Sequence, residues 1–206
     1  MRRKIKVLIV EDNEDERLFM KEGFLQTGLY EIVGEAENGN EMLMLLNEAS
    51  IPMPEVILSD LNMPGRNGFE VIMDVKTNTS LSHIPVIILT TAPLQPYAER
   101  CKNLGACAYY TKPDTFLEYK GFGEKIYPEI SECVEKTRLN YNGIKKHKRF
   151  FAQRILKTYR RAVSFSYCLY RGVPQQHLAI YNLFRGTPRG LVSLLSIFSQ
   201  GRQRTP

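Results

Sequence analysis

The sequence predicts an α/β protein built on a parallel sheet that helices cover on both faces. Short apolar runs of strand length alternate with helical patterns from the N terminus to about residue 137. Five strand–helix units follow one another without an internal repeat. Such alternation is typical of a parallel sheet, because parallel neighbours need a crossover connection, and right-handed crossovers leave few topologies.

The strands are predicted where apolar and β-branched residues form runs too short for a helix. The runs cover residues 4–10, 31–36, 55–59, 85–90 and 106–111. The central runs are apolar at almost every position. This is expected of strands that are buried on both faces.

The helices are predicted where apolar residues recur at helical spacing. Four of them cover about residues 14–27, 69–76, 95–104 and 116–137, and the second in chain order carries Met42, Leu43, Leu45 and Leu46. The second begins after an Asn-Gly-Asn cap at 38–40, and the third follows a loop of turn-forming residues at 61–68. Gly121, Gly123 and Pro128 interrupt the last pattern, which leaves a loop as the alternative for its first half.

The charge distribution divides the chain into two parts. Residues 1–135 hold all 22 acidic residues and 13 Lys and Arg, whereas residues 136–206 hold 15 Lys and Arg and no acid. Average composition would place about eight acidic residues in a segment of that length. We therefore predict a domain at 1–137 and a basic, acid-free C-terminal extension at 138–206, disordered or partly helical.

Three interpretations of the extension stay open. Its charges suit nucleic-acid phosphates, but no helix-turn-helix, winged-helix or zinc-finger pattern is present. A basic amphipathic stretch also suits an anionic membrane surface. The third interpretation is a segment without selected function, as a shifted reading frame or readthrough would produce.

The sequence favours a cytoplasmic protein. It has no signal-peptide pattern, and no apolar run approaches the roughly 18–20 residues of a membrane span. The four cysteines, Cys101, Cys107, Cys133 and Cys168, lack C-x-x-C spacing, and the three histidines do not complete a zinc set. We expect buried or idle free thiols in a reducing compartment.

Five polar residues stand at the ends of predicted strands. They are Glu11, Asp12, Asp60, Thr90 and Lys112. In an open parallel sheet, ligand chemistry collects at the carboxyl ends of the strands, so these residues should converge on one edge. Any one of them alone would be an ordinary helix cap or surface residue, and only the combination predicts a site.

The combination suits a divalent metal and a phosphoryl group. The carboxylate of Asp60 is a candidate nucleophile that forms an acyl phosphate. Mg²⁺ would offset the charge repulsion, with oxygen ligands from Glu11, Asp12, Asp60 and the main-chain carbonyl of Asn62. Lys112 would supply a positive charge and Thr90 a hydroxyl donor to the phosphoryl oxygens.

The motifs resemble those of a known family. Leu8-Ile-Val-Glu-Asp12, Leu58-Ser-Asp-Leu-Asn-Met-Pro-Gly-Arg-Asn-Gly68, Val86-Ile-Ile-Leu-Thr-Thr91 and Thr111-Lys-Pro113 resemble the receiver domain of bacterial two-component response regulators. Two stretches, at 13–17 and 83–91, further resemble stand-alone receivers that include the phytochrome partners. The resemblance covers about residues 4–137.

The resemblance implies a flavodoxin-like, doubly wound five-stranded sheet of order 2-1-3-4-5. It implies that Asp60 accepts a phosphoryl group, with Thr90 and Lys112 as catalytic partners and Thr90 and Tyr109 as the switch pair. The metal ligands would be Glu11, Asp12, Asp60 and Asn62, and the metal Mg²⁺. The chain would then be no enzyme beyond its own phosphorylation and dephosphorylation.

The implied partners are a histidine kinase, of phytochrome type in the subgroup named above, or a phosphotransfer protein. A homodimer would form through the face of the fourth helix, fifth strand and fifth helix. One alternative is a DNA-binding transcriptional regulator that acts through the basic extension. Another is a Mg²⁺-dependent aspartyl-phosphate phosphatase, which Asn62 disfavours because that class needs an Asp two residues after the nucleophile.

Overall fold

The computed structural model describes residues 3–91 and 94–169. Five parallel strands form one sheet in the order β2-β1-β3-β4-β5. The chain thus returns across the sheet once, after β2, and the strand ends on either side of that reversal form a crevice. The predicted fold class and strand order are confirmed.

The strands are short and mostly buried. They are β1 (Ile5–Val10), β2 (Tyr30–Ala36), β3 (Val56–Ser59), β4 (Val86–Thr90) and β5 (Ala108–Thr111). Every residue of β3 and β4 is buried, which explains their continuous apolar sequences. The β1–β2 register shifts by one residue between Val7 and Leu8.

The described residues form five helices, and an asparagine caps the N terminus of each of the first three. They are α1 (Glu14–Gln26), α2 (Gly39–Asn47), α3 (Gly68–Thr77), α4 (Leu94–Leu104) and α5 (Glu118–Leu169). Asn13, Asn38 and Asn67 each cap a helix N terminus, where the side-chain oxygen accepts main-chain N–H groups. At α3, Glu70 completes a capping box with Asn67.

Two apolar clusters fill the space on opposite sides of the sheet. One packs α2, α3 and α4 against the sheet and includes Leu8, Met42 and Val71. The other packs α1 and α5 against the opposite face and includes Phe24 and Ile130. The sheet is therefore covered on both sides, as the sequence predicts.

The first half of α5 is helical, so the loop alternative for this segment was wrong. Its buried side chains recur at helical spacing on the side of the sheet that α1 shares: Tyr119, Ile126, Ile130 and Val134. The carbonyl of Gly123 accepts a 2.7 Å hydrogen bond from the buried hydroxyl of Tyr30. Tertiary packing thus outweighs the low helix propensity of the glycines and of Pro128.

The prediction of free thiols was wrong for one pair of cysteines. Cys107 and Cys133 form a disulfide, with Cα atoms 6.4 Å apart and a sequence separation of 26. Cys101 is a free, buried thiol, as predicted. The side chain of Cys168 lies outside the described residues.

The chain divides into two units, Met1–His147 and Lys148–Pro206. The second unit is described only as the last part of α5, and residues 170–206 of the predicted extension lie outside the described residues. In the described part of the chain, no helix combines the length and the apolar character that a membrane span requires.

Candidate functional site

Main-chain hydrogen bonds align the strand ends that carry the predicted site residues. The amide of Asp60 donates to the carbonyl of Val10 at 2.9 Å, which places Asp60 beside the end of β1. The amide of Lys112 donates to the carbonyl of Thr90 at 3.0 Å. Residues far apart in sequence are thereby held at the same edge of the sheet.

Lys112 contacts two carboxylates at this edge. Its Nζ atom lies 2.7 Å from Oε2 of Glu11 and 3.1 Å from Oδ1 of Asp60. All three residues are buried, with exposed fractions of 7% for Lys112, 2% for Glu11 and 5% for Asp60. Solvent therefore screens these charges poorly, and the three groups form one electrostatic unit.

The other carboxylate oxygen of Asp60 faces the loop after β3. Oδ2 accepts a hydrogen bond from the main-chain N–H of Asn62 at 2.5 Å. The hydroxyl of Ser59 donates to the carbonyl of Asp60 at 2.8 Å. Each carboxylate oxygen of Asp60 thus has a fixed donor, and the side chain is held in one orientation.

The turn after β1 fixes Glu11 in the same way. Its Oε1 atom accepts from the amide of Asn13 at 3.4 Å, and its carbonyl accepts from the guanidinium of Arg17 at 2.7 Å. Burial raises the pKa of Glu11 above its usual range, although the ammonium of Lys112 opposes this effect. Burial thus makes the charged form of Glu11 costly, and the neighbouring ammonium offsets part of that cost.

The pKa of Lys112 is raised as well. Burial alone would lower this pKa, but the carboxylates of Asp60 and Glu11 together outweigh that effect. The ammonium thus keeps its charge at neutral pH, which a donor to phosphoryl oxygens requires.

The remaining predicted residues occupy different surroundings. Asp12 and Asn62 are exposed at the mouth of the site, whereas Thr90 is fully buried at the end of β4. Tyr109 is half-buried and packs against the cluster that includes α3 and α4. Burial and the neighbouring Cys101 raise the pKa of its hydroxyl.

The donor atoms at this edge match the preferences of Mg²⁺. Glu11, Asp12, Asp60 and the carbonyl of Asn62 offer only oxygen, and Mg²⁺ prefers oxygen ligands. The Oε2 atom of Glu11 is buried. Among residues 3–91 and 94–169, it has no hydrogen-bond partner apart from its contact with the ammonium of Lys112. The same residues contain no ready-made group of three Asp, Glu, His or Cys side chains for a metal. The residues therefore fit the ion in chemistry, and Lys112 balances the carboxylates in this structure.

Gly68 packs directly against the main chain of Asp60 and Leu61. From the sequence alone, this glycine is only the end of a loop. A Cβ atom at this position would lie 2.5 Å from the carbonyl oxygen of Asp60 and 2.8 Å from Cα of Leu61. The amide of Gly68 also donates to the carbonyl of Leu61 at 3.0 Å. The first residue of α3 must therefore lack a side chain for the Asp60 loop to keep its position. In the sequence, the signal for this steric constraint is a glycine directly after Asn67.

This chain is similar to several known proteins. A family model described as the response regulator receiver domain matches residues 7–118. The transcriptional regulatory protein PdtaR of Mycobacterium tuberculosis is 34% identical over 133 residues, which cover 65% of this chain and 58% of that protein. The probable chemotaxis protein CheY of Rhizobium etli is 31% identical over 124 residues, or 60% of this chain and 93% of that protein. The chain thus spans little more than half of the mycobacterial regulator.

Two solved structures are similar to this chain. The Mn(2+)-bound form of response regulator Rcp1 has 27% identity and a TM-score of 0.52, with 59% of this chain and 91% of that chain covered. The phosphorylated cyanobacterial phytochrome response regulator RcpA has 28% identity and a TM-score of 0.53, with 61% and 94% covered.

Proposed function

Because the chain belongs to the response regulator receiver domain family, we propose that it accepts a phosphoryl group on the carboxylate of Asp60. The single observation that carries the proposal is the surroundings of this carboxylate. One of its oxygens lies 3.1 Å from the ammonium of Lys112, and the other accepts the N–H of Asn62 at 2.5 Å. A buried carboxylate held between two donors at the end of a central strand suits a nucleophile.

The transfer replaces one bond to phosphorus with another. The phosphoryl group leaves the imidazole nitrogen of a phosphohistidine, and an Asp60 carboxylate oxygen forms an acyl phosphate. When bound, Mg²⁺ neutralises part of the negative charge on the phosphoryl oxygens. The ligands we assign to it are Glu11, Asp12, Asp60 and the carbonyl of Asn62.

Lys112 and Thr90 stabilise the acyl phosphate of Asp60. The ammonium of Lys112 moves from the carboxylates to a phosphoryl oxygen, and the hydroxyl of Thr90 donates to another. Thr90 and Tyr109 lie on neighbouring strands. A movement of Thr90 is therefore transmitted to Tyr109, which repacks against α4. Thr90 and Tyr109 act as the switch pair in this proposal.

Family membership also bears on the partner of this chain. Receiver domains exchange phosphoryl groups with histidine kinases or phosphotransfer proteins, and we place this reaction in the cytoplasm. The likeness to a phytochrome response regulator favours a phytochrome-type kinase as the donor. The chain would catalyse only its own phosphorylation and dephosphorylation.

We assign the receiver to residues 1–137 and the output surface to α4, β5 and the first part of α5. Phosphorylation would drive homodimer formation or partner binding through this surface. We do not extend the proposal to DNA recognition, because the sequence of residues 138–206 carries no helix-turn-helix, winged-helix or zinc-finger pattern.

Phosphoryl transfer from a small donor tests the proposal. Wild-type protein incubated with Mg²⁺ and labelled acetyl phosphate should take up one phosphoryl group, and hydroxylamine should remove it. Asp60→Asn should take up none. Asp114→Asn, at an exposed position after β5, serves as the matched control and should label like the wild type. Label that persists in Asp60→Asn would refute the assignment.

A further inference from the structure

A covalent bond links the edge of the sheet to the helix that covers it. Cys107 directly precedes β5, and Cys133 lies in α5. The two Cα atoms are 6.4 Å apart, within the range that a disulfide spans. The bond therefore ties together two of the three elements of the proposed output surface.

The domain has an extensive apolar core in addition to this bond. Small secreted domains depend on disulfides because they bury too little apolar surface. Here two clusters of fully buried side chains fill both sides of the sheet. A disulfide in a well-packed domain of this kind suggests a role other than bulk stabilisation, since disulfides in reducing compartments are usually transient.

The cysteines differ in accessibility. Cys107 is half-buried and is the more exposed residue of the pair, which favours it as the first thiol to be oxidised, whereas Cys133 is 8% exposed and lies close enough to resolve the oxidised sulfur. Cys101 is fully buried, and burial raises the pKa of its thiol, which lowers its reactivity. Oxidation is thereby directed to one pair.

The disulfide closes a loop of chain that contains Lys112, the lysine of the proposed site. Lys112 lies between the two cysteines in sequence, and its ammonium contacts Glu11 and Asp60. The segment from Cys107 to Cys133 forms a closed loop only when the pair is oxidised. Closing a loop removes conformational freedom mainly from the open and unfolded states of the segment, so oxidation should make its local opening rarer.

We propose that Cys107 and Cys133 are a reversible oxidation site that controls the mobility of β5 and α5 around Lys112. This proposal rests on the phosphoryl transfer proposed above only for its effect on signalling. Oxidation holds α5 against β5 and slows the movement of Lys112 toward an incoming phosphoryl group. Reduction of the disulfide restores the mobility of β5 and α5.

The chemistry balances with hydrogen peroxide as the oxidant. The thiolate of Cys107 attacks one peroxide oxygen, the O–O bond breaks, and a sulfenic acid and one water form. The thiol of Cys133 then attacks the sulfenic sulfur, the S–S bond forms, and a second water leaves. Two thiols lose two electrons and two protons. A dithiol reductant returns them by thiol–disulfide exchange.

A titration with glutathione tests the site itself. A Cys168→Ser background removes the one further thiol outside the domain. We expect mass spectrometry to find the Cys107–Cys133 bond after hydrogen peroxide, and both forms populated across mixtures of reduced and oxidised glutathione. A pair that never bridges, or that stays bridged in a hundredfold excess of reduced glutathione, would overturn the proposal.

A second measurement tests the control of mobility. Hydrogen exchange of residues 108–133 should be at least threefold slower in the oxidised protein than in the reduced protein. Cys107→Ser/Cys133→Ser in the same background should match the reduced protein under both conditions. Equal exchange in the oxidised and reduced proteins would overturn the proposed control.

Labelling by acetyl phosphate then tests the link to signalling. The reduced protein should label at least threefold faster than the oxidised protein, and the double variant should label at one rate in both conditions. Equal rates in the wild type would overturn the link. If neither form takes up label, the proposed phosphoryl transfer and this link both fail, while the glutathione titration still decides the oxidation site.

Discussion

The ammonium of Lys112 lies 3.1 Å from Oδ1 of Asp60, and the same ammonium lies 2.7 Å from Oε2 of Glu11. One buried cation thus balances two buried carboxylates that come from the ends of β1 and β3. The arrangement places the positive charge beside the proposed nucleophile before any phosphoryl group arrives. Four testable predictions concern Lys112, the proposed metal ligand Asp12, Gly68 and the buried Lys76.

Removal of the ammonium should destabilise the domain. Lys112→Ala leaves the carboxylates of Glu11 and Asp60 buried without a counter-ion, and the loss of a buried partner costs about 3 kcal/mol of unfolding free energy. Urea denaturation at neutral pH measures this loss. Lys120→Ala, at an exposed position in α5, serves as control and should change stability by less than about 0.5 kcal/mol. Equal stability of the two variants would contradict the electrostatic role.

Asp12 should contribute to Mg²⁺ binding without supporting the fold. Its side chain is exposed, so Asp12→Asn should unfold at the same urea concentration as the wild type in EDTA. In a Mg²⁺ titration followed by calorimetry, its affinity should fall at least about tenfold because a charged ligand is lost. Asp15→Asn, an exposed acid in the first turn of α1, should bind like the wild type. Unchanged affinity in Asp12→Asn would remove this residue from the ligand set.

Gly68→Ala should impair the site more than the fold. The new Cβ would lie 2.5 Å from the carbonyl of Asp60, so the Asp60 loop must shift, at a cost of about 1–3 kcal/mol. Acetyl phosphate labelling should fall at least tenfold, because nucleophile position controls the rate.

Gly121→Ala is the matched control for Gly68→Ala. Position 121 in α5 has open space for a Cβ, and alanine favours a helix over glycine by up to about 1 kcal/mol. This variant should be as stable as the wild type or more so and should label normally. Normal labelling in Gly68→Ala would show that the loop tolerates the shift.

Lys76 should give the domain a pH-dependent stability at alkaline pH. Burial lowers the pKa of Lys76, whose Nζ donates to the carbonyl of Ile84 at 2.9 Å. The unfolded chain holds this proton up to a pH of about 10.5, whereas the folded chain releases it earlier. Unfolding therefore binds a proton in that interval, and folded stability rises with pH. Relative to Lys76→Met, the wild type should gain unfolding free energy as the pH rises toward 10.5, and parallel urea curves across pH would contradict this.

The convergence of Glu11, Asp60 and Lys112 on one edge of the sheet could be predicted from the sequence, because it follows from the topology. Once strands end at Glu11, Asp60, Thr90 and Lys112, a parallel sheet must bring those positions to one edge. The periodicity of apolar residues was sufficient for this. It did not require any knowledge of side-chain contacts.

Other features depend on tertiary contacts that local sequence does not encode. The helical first half of α5 depends on packing against α1, where Tyr119 lies so close to Gly23 that a Cβ there would fall 2.3 Å from the Cβ of Tyr119. The pairing of Cys107 with Cys133 depends on where α5 crosses the sheet, and spacing alone gives no indication of it. The contact between Gly68 and the Asp60 loop is a steric constraint of the same kind.

The edge position of β5 has a consequence for biosynthesis. A ribosome delivers β1 and β3 well before β5, so Glu11 and Asp60 can meet in the nascent chain before Lys112 has emerged. Two carboxylates enclosed without their cation repel each other. The last strand therefore brings the charge that completes this cluster, and a nascent chain that stalls before residue 112 should remain loosely folded at this edge.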